Sequence, residues 1–256
     1  MSTHPALELR DLRKSFGRTE VIRRLSFVVD AGERIGIIGP NGAGKSTLFD
    51  LLSGRVVPNG GEVWLDGQRI DGMAPFEINR LGLGRSFQTS SLFGRLSVFD
   101  NLRCGLLWHR GLRYHLLQRL SNLRAVNAQT ETLLVQLNLR QHRNTLAAEL
   151  SYADQRALEL GITLASGAQV LLLDEPTAGM SRAEASHFVQ LIRTLTVGKT
   201  LLVIEHDLQV VYGLTDKIAV LDEGVLLVFD TPDAVRADPR VRAAYLGAVD
   251  AWGATQ

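Results

Sequence analysis

The stretch GPNGAGKST, at positions 39–47, constrains the fold of this chain more than any other part of its sequence. It matches the pattern G-x-x-x-x-G-K-[ST], whose glycines let the backbone wrap closely around an anion. A short apolar run at positions 35–38 precedes it and predicts a buried strand, and the residues after it predict a helix that ends near Gly54. A strand, a glycine-rich turn and a helix in this order indicate an α/β protein.

The residue types in this turn suit a phosphate chain. Successive backbone N–H groups form a concave anion site, and Lys45 adds a mobile positive charge that can reach the β- and γ-phosphates. The Ser46 hydroxyl is a hard oxygen ligand of the kind that Mg²⁺ prefers. The alternative is a glycine-rich turn with an incidental lysine, but the motif lies in the strand-to-helix context that it requires. We therefore predict a nucleoside triphosphate site formed by Gly39, Pro40, Asn41, Gly42, Ala43, Gly44, Lys45, Ser46 and Thr47.

The rest of the chain divides by its hydrophobic patterns. Residues 7–16 and 25–29 predict strands, and GEVWLDGQRI predicts a strand pair that turns at Asp66 and Gly67. Between about positions 97 and 164 the pattern is helical, without a convincing strand. Short apolar runs typical of parallel sheets then alternate with helices. The order is α/β, a helical insertion, and α/β again.

Three polar residues follow two of these apolar runs. Asp174 ends VLLLD, where a buried carboxylate is costly unless it is paired or faces a metal, and Mg²⁺ beside Ser46 would satisfy it. Glu175 comes next and is suited to orienting and deprotonating a water molecule. His206 follows the second run, in VIEHD, and a lone histidine of this kind is as often structural as functional. Phosphoryl transfer needs both a metal ligand and a water-positioning group, so a phosphate site nearby favours functional roles for the two carboxylates.

The stretch ELSYADQRALEL predicts a helix that begins at Ser151. Ser151 and Asp154 have the spacing of a capping box ahead of Leu158 and Leu160. The first N–H groups of such a helix point outward and carry the positive end of its dipole. They can serve the fold alone, or they can bind an anion.

Composition excludes several classes of function. A formal net charge of +1 gives no overall attraction to nucleic acid or to an anionic membrane, so no nucleic-acid partner is expected. The lone cysteine, Cys104, cannot form an internal disulfide and fits a reducing cytoplasm. No signal peptide is visible, and no apolar run approaches the roughly 18 residues needed to span a bilayer. A role at the membrane is therefore expected to depend on another protein.

These motifs, taken in order, resemble those of the ATP-binding cassette (ABC) family over almost the whole chain. Phe16 precedes the glycine-rich loop, SFQTSSLF follows it with Gln88, and LSYADQ stands where the family signature, commonly LSGGQ, belongs. DEPTAGM and VIEHD complete the order, and AAYLG lies near the C-terminus. The combination is most similar to the cassettes of bacterial importers for branched-chain amino acids, and relatives that import urea or short amides are also similar.

The resemblance implies a fold and a division of the chain. The fold is the ABC-type P-loop NTPase core, with a mainly parallel sheet, an antiparallel β subdomain and an inserted α-helical subdomain. Residues 1–88 and 165–256 would form the α/β ATPase core of a single domain, and residues 89–164 the helical signature subdomain.

The resemblance also implies site roles. Phe16 would stack on adenine with Val21 nearby, although plain core packing is the alternative for Phe16. Gln88 would reach Mg²⁺ and the γ-phosphate, and Asp174 and Ser46 would complete the metal site. His206 would hydrogen-bond the γ-phosphate, so that the catalytic set is Glu175, His206 and Gln88. The cofactors that the resemblance implies are ATP and Mg²⁺.

In this family two cassettes pair head to tail, and each ATP is held between the glycine-rich loop of one chain and the signature helix of the other. The helix end formed by Ser151, Tyr152, Ala153 and Asp154 would thus hold the partner chain's ATP. Ala153 departs from the glycine that is usual there, which costs little in a right-handed helix but obstructs if φ must be positive.

The implied partners are a second cassette, which is expected to be a different chain, transmembrane permease subunits and, indirectly, a solute-binding protein. The implied location is the cytoplasmic face of the inner membrane, as a peripheral subunit. An arginine-rich stretch is interpreted as a solvated helix face, with a surface for anionic lipid as the alternative. Its residues are Arg103, His109, Arg110, Arg113, His115, Arg119 and Arg124.

Two other classes of protein share parts of this pattern. ABC-type ATPases that act on DNA or ribosomes usually carry a coiled coil or tandem cassettes, and this chain has one cassette and no heptads. A P-loop kinase of small molecules needs a second substrate pocket and has no signature helix. The motifs therefore favour a transport ATPase, while the transported solute cannot be read from them.

Overall fold

A computed structural model describes residues 4–86, 92–110 and 123–245 of the chain. Strands and helices alternate through most of this part. The strands are β1 (Leu7–Phe16), β2 (Thr19–Val29), β3 (Arg34–Ile38), β4 (Gly60–Leu65), β5 (Gln68–Arg69), β6 (Leu83–Arg85), β7 (Val170–Asp174), β8 (Thr200–Ile204), β9 (Lys217–Asp222) and β10 (Val225–Asp230). The helices are α1 (Lys45–Leu52), α2 (Pro75–Arg80), α3 (Val98–His109), α4 (Arg124–Gln136), α5 (Tyr152–Ala165), α6 (Arg182–Leu195), α7 (Leu208–Leu214), α8 (Pro232–Ala237) and α9 (Pro239–Tyr245).

The central sheet has six strands in the order β10-β9-β3-β8-β7-β6. Five of them run parallel, and β10 pairs antiparallel with β9. Every residue of β7 is buried, because Leu172 packs into one hydrophobic core while Leu171 and Leu173 pack into another on the opposite face. Burial on both faces explains why the sequence shows continuous apolar runs here, and it confirms the predicted parallel sheet.

A second sheet, with the order β2-β1-β4-β5, is antiparallel. The predicted turn between β4 and β5 is confirmed, since Asp66 and Gly67 have φ of 46° and 78°, as a tight hairpin requires. The strand predicted over residues 25–29 was too short: β2 begins at Thr19 because it pairs with β1 along nearly its whole length. Its first half contains the exposed residues Thr19, Glu20, Arg23 and Arg24, so it has no continuous apolar run.

Helix α1 packs between the two sheets. Phe49 and Leu52 are fully buried in the same core as Ile35 and Ile37 of β3. The helix was predicted to end near Gly54, and it ends at Leu52. Its position fixes the glycine-rich loop over the carboxyl end of β3.

The described residues between positions 97 and 164 form α3, α4 and α5 with two short 3-10 turns, Arg140–His142 and Ala147–Glu149. A helical insertion is therefore confirmed for the part that the structure describes, with one isolated bridge from Ser97 to Leu146. In the arginine-rich stretch, Arg103 pairs with Asp100, and Arg110 donates to Gln129. Arg113, His115 and Arg119 lie outside the described residues.

Candidate functional site

The loop at positions 39–44 links β3 to α1 and is shaped by its glycines. Gly44 has φ of 97°, and a Cβ atom there would lie 2.8 Å from the carbonyl oxygen of Val21. A Cβ atom at Gly39 would lie 2.1 Å from the carbonyl oxygen of Leu221. Because glycine has no side chain, the loop can lie this close to β2 at Gly44 and to the end of β9 at Gly39.

Lys45 is the first residue of α1 and points back into the loop. Its Nζ atom donates to the carbonyl oxygens of Gly39, at 2.7 Å, and Pro40, at 3.0 Å. The side chain is buried, and burial lowers the pKa of its ammonium while the nearby Glu175 and Asp174 carboxylates act in the opposite direction. A phosphate oxygen would offer this ammonium a charged acceptor in place of neutral carbonyls.

Asp174, at the end of β7, is held by a residue that the sequence analysis missed. The guanidinium of Arg85 donates to Asp174 Oδ2 at 3.1 Å and to Asp50 Oδ1 of α1 at 2.6 Å. Both members of the Arg85–Asp174 pair are buried, with side-chain exposures of 6% and 0%. Burial raises the pKa of Asp174, although Arg85 opposes this effect. The signal in the sequence was an arginine in the short apolar strand β6.

The other oxygen of Asp174 fits a metal site. Oδ1 is buried and has no hydrogen-bond partner among the described residues. Ser46, next to Lys45 in the first turn of α1, is exposed. An unsatisfied carboxylate oxygen and a hydroxyl are suitable ligands for Mg²⁺ or for its water shell.

Glu175 and His206 meet directly. The Nε2 atom of His206 lies 3.0 Å from Oε1 of Glu175, and both side chains are partly exposed. Glu175 has φ of 47°, a conformation that costs a non-glycine residue about 1–3 kcal/mol. Its N–H donates to the carbonyl oxygen of Ile204 at 2.9 Å, so the end of β8 stabilises this backbone. A strained residue held in this way is typical of functional sites.

Glu205 also escaped the sequence analysis. It is 5% exposed and accepts hydrogen bonds from Thr177 and from the backbone N–H of His206. In the sequence, only its position directly after the continuous apolar run of β8 indicated that this charged residue could be buried.

The aromatic residue ahead of the loop is exposed. Phe16 ends β1 with an exposed fraction of 50%, which contradicts the alternative of plain core packing. The Lys14 ammonium lies 4.9 Å from the centre of its ring. Val21 contacts the loop at Gly44. The ring of Phe16 is therefore open to a planar ligand.

The predicted helix start at Ser151 is confirmed. Ser151 caps α5 by accepting the N–H of Asp154. The reciprocal bond of a capping box is replaced, because Asp154 Oδ2 accepts the Ser151 hydroxyl at 2.7 Å. Ala153 has a negative φ, so its backbone does not require glycine. The Tyr152 hydroxyl donates to the carbonyl oxygen of Ala178, which ties the start of α5 to the loop after β7.

The structure thus brings Lys45, Asp174, Glu175 and His206 to the carboxyl ends of the parallel strands β3, β7 and β8. The helix end at Ser151 belongs to the helical part of the chain. Gln88 lies outside the described residues. Within the described ranges, no helix has both the length and the apolar character needed to cross a bilayer.

Family models match two parts of the chain. Residues 22–178 match the model described as ABC transporter. Residues 227–251 match the model described as branched-chain amino acid ATP-binding cassette transporter. The second match lies outside the nucleotide-binding motifs.

Curated relatives cover nearly the same length. The chain is 35% identical over 254 residues to the high-affinity branched-chain amino acid transport ATP-binding protein LivG of Escherichia coli, covering 96% of this chain and 99% of that protein. It is 34% identical to BraF of Pseudomonas aeruginosa, which has the same description, with the same coverage. It is also 34% identical over 242 residues to the lipopolysaccharide export system ATP-binding protein LptB of Acidithiobacillus ferridurans, covering 94% and 96% of the two chains.

A solved structure agrees with this fold. The ADP conformation of MJ1267, an ATP-binding cassette of an ABC transporter, superposes with a TM-score of 0.82 at 26% identity. The match covers 96% of this chain and all of the other. The predicted ABC-type α/β fold is therefore confirmed.

Proposed function

The chain belongs to the ABC transporter family, whose ATPase domain it carries, and we propose that it is the ATP-hydrolysing subunit of a branched-chain amino acid importer. The observation that carries the ATPase activity is the convergence of Lys45, Asp174 and the Glu175–His206 pair at one sheet edge. The match of residues 227–251 supports the solute class, because general ATPase motifs do not account for it. It also favours import of amino acids over the export function named for LptB.

In this proposal the glycine-rich loop binds the triphosphate of ATP. Its N–H groups and the Lys45 ammonium contact the phosphates, and the exposed ring of Phe16 stacks on adenine beside Val21. Ser46, Asp174 and Gln88 would hold Mg²⁺ directly or through water. When bound, this ion neutralises charge on the β- and γ-phosphates. The full loop set is Gly39, Pro40, Asn41, Gly42, Ala43, Gly44, Lys45, Ser46 and Thr47.

Hydrolysis then requires one proton transfer. The Glu175 carboxylate takes a proton from water as the water oxygen bonds to the γ-phosphorus, and the bond to the bridging oxygen of ADP breaks. His206, in contact with Glu175, orients this carboxylate and hydrogen-bonds the γ-phosphate. Gln88 would contact the γ-phosphate and Mg²⁺ and would couple the nucleotide site to the permease.

We assign residues 1–88 and 165–256 to the ATPase core and residues 89–164 to the signature subdomain. The α5 N-terminus, with Ser151, Tyr152, Ala153 and Asp154, would contact the ATP bound to a second cassette. The negative φ and helical position of Ala153 support this role, because its N–H remains available as a donor. Closure of the two cassettes around ATP would drive the permease subunits.

The proposed assembly also contains transmembrane permeases at the inner membrane, a second cassette and a solute-binding protein outside. Import of urea, amides or another small solute by the same assembly is the second candidate, because the nucleotide site has no contact with the solute.

Purification of the tagged full-length chain from detergent-solubilised membranes tests the proposal. We expect permease subunits and a second cassette to co-purify, and the reconstituted complex to hydrolyse ATP faster with the solute-binding protein and leucine. A complex that hydrolyses ATP but responds to urea and not to leucine contradicts the solute class. A complete complex without ATP hydrolysis contradicts the proposed activity.

A further inference from the structure

Glu205 connects the two loops that carry the hydrolytic pair. It lies directly after β8, between Ile204 and His206, and its side chain points into the protein. Oε1 accepts the N–H of Thr177 at 2.9 Å and the Thr177 hydroxyl at 2.6 Å. Oε2 accepts the N–H of His206 at 3.2 Å. One carboxylate therefore binds the loop after β7 with one oxygen and the loop after β8 with the other.

These contacts are costly to replace. A buried carboxylate loses its hydration, and it is tolerated only when hydrogen bonds compensate for that loss. Bonds from N–H and O–H groups to an ionised acceptor are stronger than bonds between neutral groups. The Glu205 carboxylate therefore holds its three donors in place. They are the N–H and the hydroxyl of Thr177 and the N–H of His206.

The loop after β7 needs this support. Glu175 has a positive φ, and the chain reverses directly after it, with the N–H of Ala178 donating to the Glu175 carbonyl oxygen at 3.1 Å. Thr177 lies inside this turn and is bound to Glu205 through both its N–H and its hydroxyl. Fixing Thr177 fixes the turn, and the turn sets the direction of the Glu175 side chain toward His206.

We propose that Glu205 is a positioning residue for hydrolysis, which holds Glu175 and His206 at their mutual distance without touching the nucleotide. The inference rests on the proposed ATPase function. It predicts a change in the rate of the chemical step and little change in nucleotide binding, because the hydrogen bonds that Glu205 accepts from the described residues come from Thr177 and His206 and not from the glycine-rich loop.

Glu205→Gln is the direct test, since it keeps the shape of the side chain but replaces one acceptor oxygen by an NH₂ group. Whichever way the amide is turned, either Thr177 or His206 faces a donor. In the assembled complex we expect kcat to fall at least about tenfold, the lower end for losing a group that orients a reacting residue. The ATP affinity of the isolated chain, measured by calorimetry, should change less than about twofold, because uniform binding is untouched.

Glu33→Gln is the matched control. Glu33 pairs with Lys217 and accepts the Asp30 N–H, but it lies just before β3, at the amino ends of the parallel strands. The kcat of the assembled complex with Glu33→Gln should equal that of the complex with the unmodified chain. A kcat for Glu205→Gln as high as that of the control, or a loss of ATP affinity as large as the loss of kcat, would overturn the inference.

Thr177 provides a second test that does not depend on the folding of Glu205→Gln. Thr177→Val removes the hydroxyl donor at nearly constant shape, and we expect it to lower kcat, whereas Thr177→Ser should recover most of that loss. Equal rates for the two variants contradict the inference.

Hydrogen exchange of the nucleotide-free chain separates this inference from the proposed function. We expect faster exchange at positions 175–180 and 205–207 in Thr177→Val than in the unmodified chain. Unchanged exchange at these positions would overturn the proposed role of Glu205. Because the measurement needs no ATP hydrolysis, its result does not depend on whether the proposed function holds.

Discussion

Nε2 of His206 lies 3.0 Å from Oε1 of Glu175, although the two residues are 31 positions apart in the chain. The contact follows from strand register, because β7 and β8 are parallel neighbours in which Asp174 stands opposite Ile204. Glu175 follows Asp174 directly and His206 lies two positions after Ile204, so both residues leave the sheet at the same end of adjacent strands. A carboxylate in contact with an imidazole is suited to accept a proton from water.

Glu175→Gln should keep binding of Mg-ATP and lower hydrolysis at least about 100-fold, the low end for the loss of a positioned base. Because the closed pair of cassettes can no longer hydrolyse its ATP and open, cassette dimers should accumulate in the presence of ATP. Gel filtration measures this accumulation. An unchanged turnover rate would refute the role given to Glu175.

Lys45→Ala should abolish ATP binding to the isolated chain, because the charge that faces the β- and γ-phosphates is lost. Calorimetry measures this directly. Lys199→Ala is the control, since Lys199 also donates to a backbone carbonyl, that of Ala168, but far from the loop. Near-normal affinity of Lys45→Ala for ATP contradicts the assignment of the site.

Arg85→Met should lower the free energy of unfolding by about 3–5 kcal/mol, because it leaves the buried Asp174 carboxylate without its partner. Arg103→Met removes a more exposed partner of Asp100 and should cost no more than about 1 kcal/mol. Urea unfolding of both variants provides the comparison. Equal losses in the two would mean that Arg85 does not compensate the charge of Asp174.

Ser151→Arg should abolish hydrolysis in the assembled complex while the isolated variant still binds ATP. The bulky arginine would block the approach of the helix end to the partner's nucleotide. Loss of the N-cap alone costs about 1 kcal/mol, which does not unfold a typical domain. An unchanged rate in a complex known to be assembled contradicts the role, as does a folded monomer that no longer binds ATP.

Ala153→Gly is the companion variant. Since Ala153 already has a negative φ, we expect the rate to change less than about tenfold, which corresponds to roughly 1.4 kcal/mol. A larger gain in rate would mean that the Cβ atom of Ala153 obstructs the phosphate.

Residues whose surroundings come from their own segment could be predicted from the sequence. The loop around Lys45, the helix start at Ser151 and the turn at Asp66 and Gly67 each depend on spacing within a few positions. Buried parallel strands such as β7 were also predictable, because burial on both faces gives a continuous apolar run.

Residues that work through distant partners could not be predicted in this way. Arg85 and Asp174 are 89 positions apart, and Thr177 and Glu205 are 28 apart. A charged residue beside an apolar run is usually solvated, and only strand order and register decide that Arg85 is buried against Asp174 and that Glu205 is buried against Thr177. The sequence alone therefore determined the groups that can contact a nucleotide, because local backbone geometry and residue type suffice for that. The tertiary structure alone decided how the carboxylates are paired and aimed, because a buried charge takes its energy and direction from whichever partners the packed sheet brings to it.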